Sequence, residues 1–218
     1  AAPAAVPSPA SAGPQAAVAP GGSSIPHILT LREQNAFFNA SLKIRLEQIV
    51  PRIMREEGID FWLIICRENN EDPVYFSLVP FTSLYASRLQ ILVFHDRGAA
   101  GVDRFSVNFR QMGDWWKSAW DPSKMDQWAR LAEIIRERDP KVIGINESET
   151  DKYGDGLTAS LKARLVQAIG PEYAKRLKSA SRVAVRVLEE RTVEELAVYP
   201  QIAAIAHAII AEAFSNRV

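Results

Sequence analysis

The chain of 218 residues has one cysteine, Cys66, and three widely spaced histidines, His27, His95 and His207. A single thiol excludes an internal disulfide, and its place in the apolar run Phe61-Trp62-Leu63-Ile64-Ile65-Cys66 is that of a small core residue. A zinc centre needs three or four ligands, usually with two of them close in sequence, and no such spacing occurs here. His207 has only Ala203, Ala204, Ile210 and Ala211 three and four residues away, so on a helix it has no co-ligand and is expected to be buried or interfacial. Net charge is also lacking: 26 Lys and Arg balance 26 Asp and Glu. No global field therefore draws the chain to nucleic acid or anionic lipid, and no nucleic-acid partner is expected. No continuous apolar run approaches the roughly 20 residues of a membrane-spanning helix, so no membrane span is expected. The absence of a Gly-x-Ser-x-Gly elbow and of a Walker-type loop removes serine-hydrolase and phosphate-loop readings.

Charge is missing altogether from the first 24 residues, of which 21 are Ala, Pro, Gly or Ser. That composition cannot bury enough apolar surface to offset the entropy of ordering, so 1-24 is expected to be a mobile tether. Tails of this kind commonly follow a removed secretory signal, which points to a periplasmic or secreted protein, the alternative being a cytoplasmic one. Residues 25-188 are long enough for one compact domain, and 189-218 form a connector and a projecting helix.

Within that domain, apolar residues at helical spacing from Leu42 to Met54 predict a helix ended by Gly58, with Pro51 kinking or dividing it. Asp60 to Cys66 reads as a strand covered on both faces. Val74 to Val79, Leu89 to Phe94 and Phe105 to Phe109 are further strand candidates, able to form a meander. Met125 to Ile135 makes a second helix stopped by Asp139-Pro140, Lys141 to Asn146 a short buried strand, and Leu157 to Ile169 a third helix ended by Gly170-Pro171. Ser181 to Leu188 fits strand and helix alike. The sum is an α/β fold, a mixed β-sheet flanked by helices.

Three polar or aromatic groupings stand out. Arg67-Glu68-Asn69-Asn70-Glu71-Asp72-Pro73 follows the buried strand, at the strand end where ligands tend to meet open α/β sheets. Arg67, Asn69, Asn70, Glu71 and Asp72 are thus candidate contact residues; the other reading is a solvated turn whose Asn and Asp satisfy backbone groups. Trp115, Trp116 and Trp120 crowd a short window and suit either core packing or an interface. Gly154-Asp155-Gly156 matches a loose dinucleotide fingerprint, but seven residues separate it from the preceding strand, so a flexible helix entry is the expected use and nucleotide binding the alternative.

The last segment is the most strongly specified. Thr192 and Glu195 stand three apart, as in a reciprocal N-terminal cap, and lead into Leu196, Tyr199, Ile202, Ile205, Ile209 and Phe214 with Ala between them. Such a helix needs a body to pack on, and it is expected to be the first helix of a further domain.

The opening helix Arg45-Leu46-Glu47 to Glu57-Gly58-Ile59-Asp60 feeding an apolar strand, and the exit Arg191-Thr192-Val193-Glu194-Glu195-Leu196 into an Ala-rich helix, resemble the amino-terminal domain of the Xaa-Pro aminopeptidase, prolidase and creatinase family. The resemblance covers about residues 42 to 218. It departs at Leu188, where the family often has arginine, at Val193, where it often has proline, and at Pro200 inside the last helix. It implies a ribonuclease-H-like, creatinase N-terminal-like accessory domain without catalytic or metal-binding residues of its own. The two divalent metal ions of the family, Mn, Co or Zn, would belong to a pita-bread catalytic domain beyond Val218 whose ligands cannot be matched here. The implied partners are that catalytic domain, a second copy in a homodimer, and short proline-containing peptides. The candidate contacts would then be substrate-entrance or dimer contacts. The alternative is a catalytically silent pita-bread relative acting as a protein-binding module.

Overall fold

A computed structural model describes residues 28–215; the tether expected at 1-24 lies outside the described residues. Leu29–Tyr199 forms one compact unit, and Pro200 onward falls in a second.

Thr30 starts the first helix, α1 (Leu31–Ile44), with a capping box: its hydroxyl accepts from the Glu33 amide while the Glu33 carboxylate takes the Thr30 amide at 2.8 Å. The helix thus begins eleven residues before Leu42, the first residue of the apolar pattern. A π-helical turn, Arg45–Ile49, separates α1 from α2 (Val50–Glu57). Pro51 sits just after it, in the first turn of α2. A proline has no amide hydrogen and its ring crowds the carbonyl four residues back. The wider π turn lets the Val50 amide reach Arg45 instead, and the chain stays helical through the proline. Gly58, at φ 66°, ends α2 in the left-handed region.

The sheet has five strands: β1 (Phe61–Arg67), β2 (Leu89–Asp96), β3 (Val102–Ser106), β4 (Ile143–Ile145) and β5 (Leu177–Ser179), in the order β3-β2-β1-β4-β5. β1 pairs antiparallel with β2 and parallel with β4, β2 pairs antiparallel with β3, and β4 pairs parallel with β5. The mixed α/β architecture expected from the sequence is therefore present. Alternation along β1 divides the core. Trp62, Ile64 and Cys66 face a cluster with Leu46, Ile53 and Met54 and with Val183 and Val187 of α5 (Ser181–Glu189). Phe61, Leu63 and Ile65 face Leu131 and Ile135 of α3 (Gln127–Arg138) and Leu161 and Leu165 of α4 (Ala159–Ala174). Helices cover both faces, which is why β1 is apolar at every position but its last.

Several expectations are corrected. Val74 to Val79 is not a strand: Tyr75–Ser77 is a 3-10 turn, and Val74, Tyr75, Leu78 and Val79 are buried at helix-like spacing. Both edges of β1 are already taken by β2 and β4, so this segment cannot pair with the strand it follows. The strand expected at Phe105 to Phe109 lies earlier, at Val102–Ser106. Beyond it Val107 donates one more bond to the Ile91 carbonyl, then the Asn108 side chain takes the Ile91 amide at 2.7 Å and ends the ladder. Ser181 to Leu188, open between strand and helix, is α5. Gly170, at φ 78°, interrupts α4 where Gly170-Pro171 was expected to stop it, and a last turn follows.

The terminal helix α6 (Val193–Ala213) carries the expected cap: the Glu195 amide donates to the Thr192 hydroxyl at 3.1 Å, and the Glu195 carboxylate takes the Thr192 amide at 2.7 Å. None of its residues is buried; Leu196, Ile202, Ile209 and Phe214 are exposed, as is His207, which is therefore not a core histidine. With 21 residues and a mean hydropathy of 1.4, α6 is long and apolar enough by length and composition to cross a membrane. Counting continuous apolar runs overlooks this, because alanines raise the average of a window that Pro200 and His207 interrupt.

Candidate functional site

β1, β3, β4 and β5 all end at one edge of the sheet, where β2 begins, and this edge carries the polar groupings. Arg67 closes β1, and the chain turns back at once: the Asn70 amide donates to the Arg67 carbonyl at 3.0 Å, with Asn69 left-handed at φ 62°. Asparagine suits that conformation because its short amide is tolerated there. The Glu71 carboxylate accepts the Ala86 amide at 3.1 Å and so ties the loop to the segment leading into β2. Arg67, Asn69 and Asn70 are exposed and Glu71 is half-buried.

Asp72 is fully buried. One carboxylate oxygen accepts the Val74 amide at 3.0 Å, and the other accepts Nδ2 of Asn146 at 2.9 Å. Asn146 Oδ1 in turn takes the Trp62 indole N–H at 2.7 Å. Burial pushes the Asp72 carboxyl up to about 6, against the pull of these two donors. A Cβ on Gly156 would lie 2.1 Å from this carboxylate, and one on Gly154 2.5 Å from the Ser181 side chain. The glycines of Gly154-Asp155-Gly156 thus allow close approach to Asp72 and α5. The space over Gly156 that a pyrophosphate would need is taken by a side chain. Asp72 serves as the internal clamp of this edge, and it does not reach the surface.

The tryptophans divide. Trp116 is fully buried, donates to the Leu78 carbonyl at 2.8 Å and meets Phe94 edge-on at 5.1 Å, so its role is core packing. Trp115 is half-buried, and its carbonyl accepts Nε of Arg104 at 3.1 Å. Trp120, also half-buried, donates its indole N–H to the Met125 carbonyl at 2.8 Å, and its ring lines a cleft. The three do not come together at one surface.

That cleft, of about 490 Å³, lies between the start of β2 and the segment after β3, and is walled by Tyr75, Tyr85, Phe109, Trp120, Arg88 and Arg110. Beneath it Gln90 Oε1 takes Nδ2 of Asn108 at 2.6 Å and the Tyr75 hydroxyl at 3.4 Å. Burial raises the Tyr75 phenol above its ordinary value, so it stays a neutral donor. Among the described residues the wall offers guanidinium, amide, hydroxyl and aromatic groups, with no carboxylate, imidazole or thiol. Such a surface can bind and orient but supplies no general acid–base pair. Nor is there, among the described residues, any group of three or more His, Cys, Asp or Glu placed to hold a metal ion. Burial pushes the Cys66 thiol up to about 12, as suits an inert core residue.

Arg88, Arg110, Asn108 and Asn146 carry this edge and were not legible as site residues. Asn146 had a usable signal, a polar residue closing the apolar strand Ile143-Gly144-Ile145. Arg88 and Arg110 had none, being single basic residues in irregular segments. No protein-family model, no curated protein and no solved structure matches the chain.

Proposed function

We propose that the chain is the non-catalytic amino-terminal part of a metal-dependent Xaa-Pro aminopeptidase- or prolidase-like peptidase, a ribonuclease-H-like accessory domain that supports dimerisation and restricts access of substrate. The observation that carries this reading is α6: a strongly capped helix whose apolar residues Leu196, Ile202 and Ile209 are exposed. Apolar area of this extent is favourable only against a body that removes it from water. In this reading the exposed Arg67 to Asn70 turn and the Trp120 cleft face the substrate entrance or the second subunit. Two divalent ions would be held by residues beyond the described ones, and the uncharged Ala/Pro-rich tail supports an exported protein.

The test is the product of the whole gene, assayed with Xaa-Pro peptides in the presence of Mn, Co or Zn. Metal-dependent release of the amino-terminal residue is expected from the whole product and none from the 218-residue chain alone. A whole product inert with every metal, yet retaining a stable protein partner, would replace the peptidase reading with that of a binding module.

A further inference from the structure

Many arginines of this protein face a carboxylate. Arg45, Arg55, Arg130, Arg138, Arg176 and Arg186 each hold a carboxylate in an ion pair. Among the described residues the guanidinium groups of Arg32, Arg67, Arg88, Arg110, Arg136 and Arg164 have no hydrogen-bond or ion-pair partner. Four of these, Arg67, Arg88, Arg110 and Arg164, lie around two adjoining hollows. Arg67, Arg88 and Arg164 line one groove of about 430 Å³ with Trp128 and Leu161, opposed by a single carboxylate, that of Glu68. Arg88 is also a wall of the aromatic cleft, where Arg110 stands with Tyr85, Phe109 and Trp120. The two hollows therefore share Arg88 and Leu89 and lie along the edge where β1 and β3 end.

Arg88 has a second peculiarity. Its backbone is left-handed at φ 59°, a region that a residue with a long side chain rarely occupies. The Glu68 amide donates to its carbonyl at 3.0 Å and holds it there. A conformation of this kind persists only where the surrounding structure over-determines it. Exposed guanidinium groups around one groove make it locally positive in a chain of zero net charge. Guanidinium forks match the planar or tetrahedral oxygens of carboxylate and phosphate, and aromatic walls accept a flat apolar group beside them.

We propose that the paired hollows form one binding site for a small organic oxyanion, a carboxylate or phosphate monoester carried on a flat apolar group. Arg67, Arg88 and Arg164 take the oxyanion, and the Tyr85, Phe109 and Trp120 wall takes the flat group. This goes beyond the accessory-domain reading and does not depend on it.

Calorimetric titration of the full chain with phenyl phosphate, phenylacetate, inorganic phosphate and benzyl alcohol tests the site. At least one aryl anion should bind about tenfold or more tighter than inorganic phosphate, weaken as salt rises, and change tryptophan fluorescence, while benzyl alcohol should not bind. Which aryl anion binds better decides between phosphate and carboxylate. Arg88→Gly suits the left-handed backbone, so it should lower the affinity about tenfold or more while leaving the melting temperature unchanged or raised. Phe109→Ala should erase the preference for the aryl anion over inorganic phosphate. The proposal is overturned if neither aryl anion binds, if inorganic phosphate binds equally well, if benzyl alcohol competes, or if Arg88→Gly binds like the parent chain.

Discussion

Asp72 illustrates how a residue expected at a surface becomes an internal support. Its carboxylate has no solvent exposure, accepts two hydrogen bonds and lies under Gly156. Because the buried carboxyl is harder to ionise than in the unfolded chain, folding takes up a proton between 3.8 and about 6. The stability owed to Asp72 is thus full below pH 3.8 and declines as pH rises through about 6, by on the order of 3 kcal/mol. Carboxyls held low by arginine, such as Glu57 and Asp96, contribute in the opposite sense, so the measurement must compare variants. The denaturant-derived stability of the parent minus that of Asp72→Asn should fall between pH 4 and pH 7, and a flat difference would show that the carboxyl titrates normally. Gly156→Ala places a methyl group against the same carboxylate. It should destabilise by about 1–3 kcal/mol in chemical denaturation, since the clamp must shift to admit it; an unchanged midpoint would mean that Asp72 moves freely.

Among the elements, the start of α6 is held by a single buried side chain. Arg45, in the π turn after α1, donates through Nη1 to the carbonyls of Val187 and Glu190 and through Nη2 to both oxygens of Glu195 at 2.9 and 3.1 Å. It thereby ties the end of α5 and the cap of α6 to the helical layer. Arg45→Met keeps the apolar stem but leaves these acceptors unpaired, and should cost about 2 kcal/mol or more. Amide exchange at Thr192 and Glu195 should quicken more than at β1. Equal quickening everywhere would mean that Arg45 supports the domain in general. Thr192→Ala removes only one cap acceptor and should cost about 1 kcal/mol.

At the scale of the whole molecule, the exposed apolar residues of α6 are the ones whose replacement tests association in solution. Its exposed isoleucines are candidates for burial against another protein surface or another copy. The 24.2 kDa chain should sediment as a larger species at micromolar concentration, and Ile202→Asp with Ile209→Asp should return it to a monomer. A parent chain that is monomeric and instead floats with neutral phosphatidylcholine vesicles would make α6 a membrane element.

Local chemistry is legible wherever neighbours along the chain satisfy one another. The Gly58 stop, the Thr192 and Glu195 cap, and the doubly covered β1 needed only residues within a few positions, so propensity and periodicity reveal them. The mixed α/β class follows from those elements. Val74 to Val79 was misread because its fate depends on which edges of β1 are free, and β5 escaped notice because Leu177-Lys178-Ser179 has a single apolar residue. The burial of Asp72 and Trp116, the partners of Arg45, and the gathering of Arg67, Arg88 and Arg164 join residues far apart in the chain. Such encounters depend on the packing of sheet edge against helix, which no local spacing encodes.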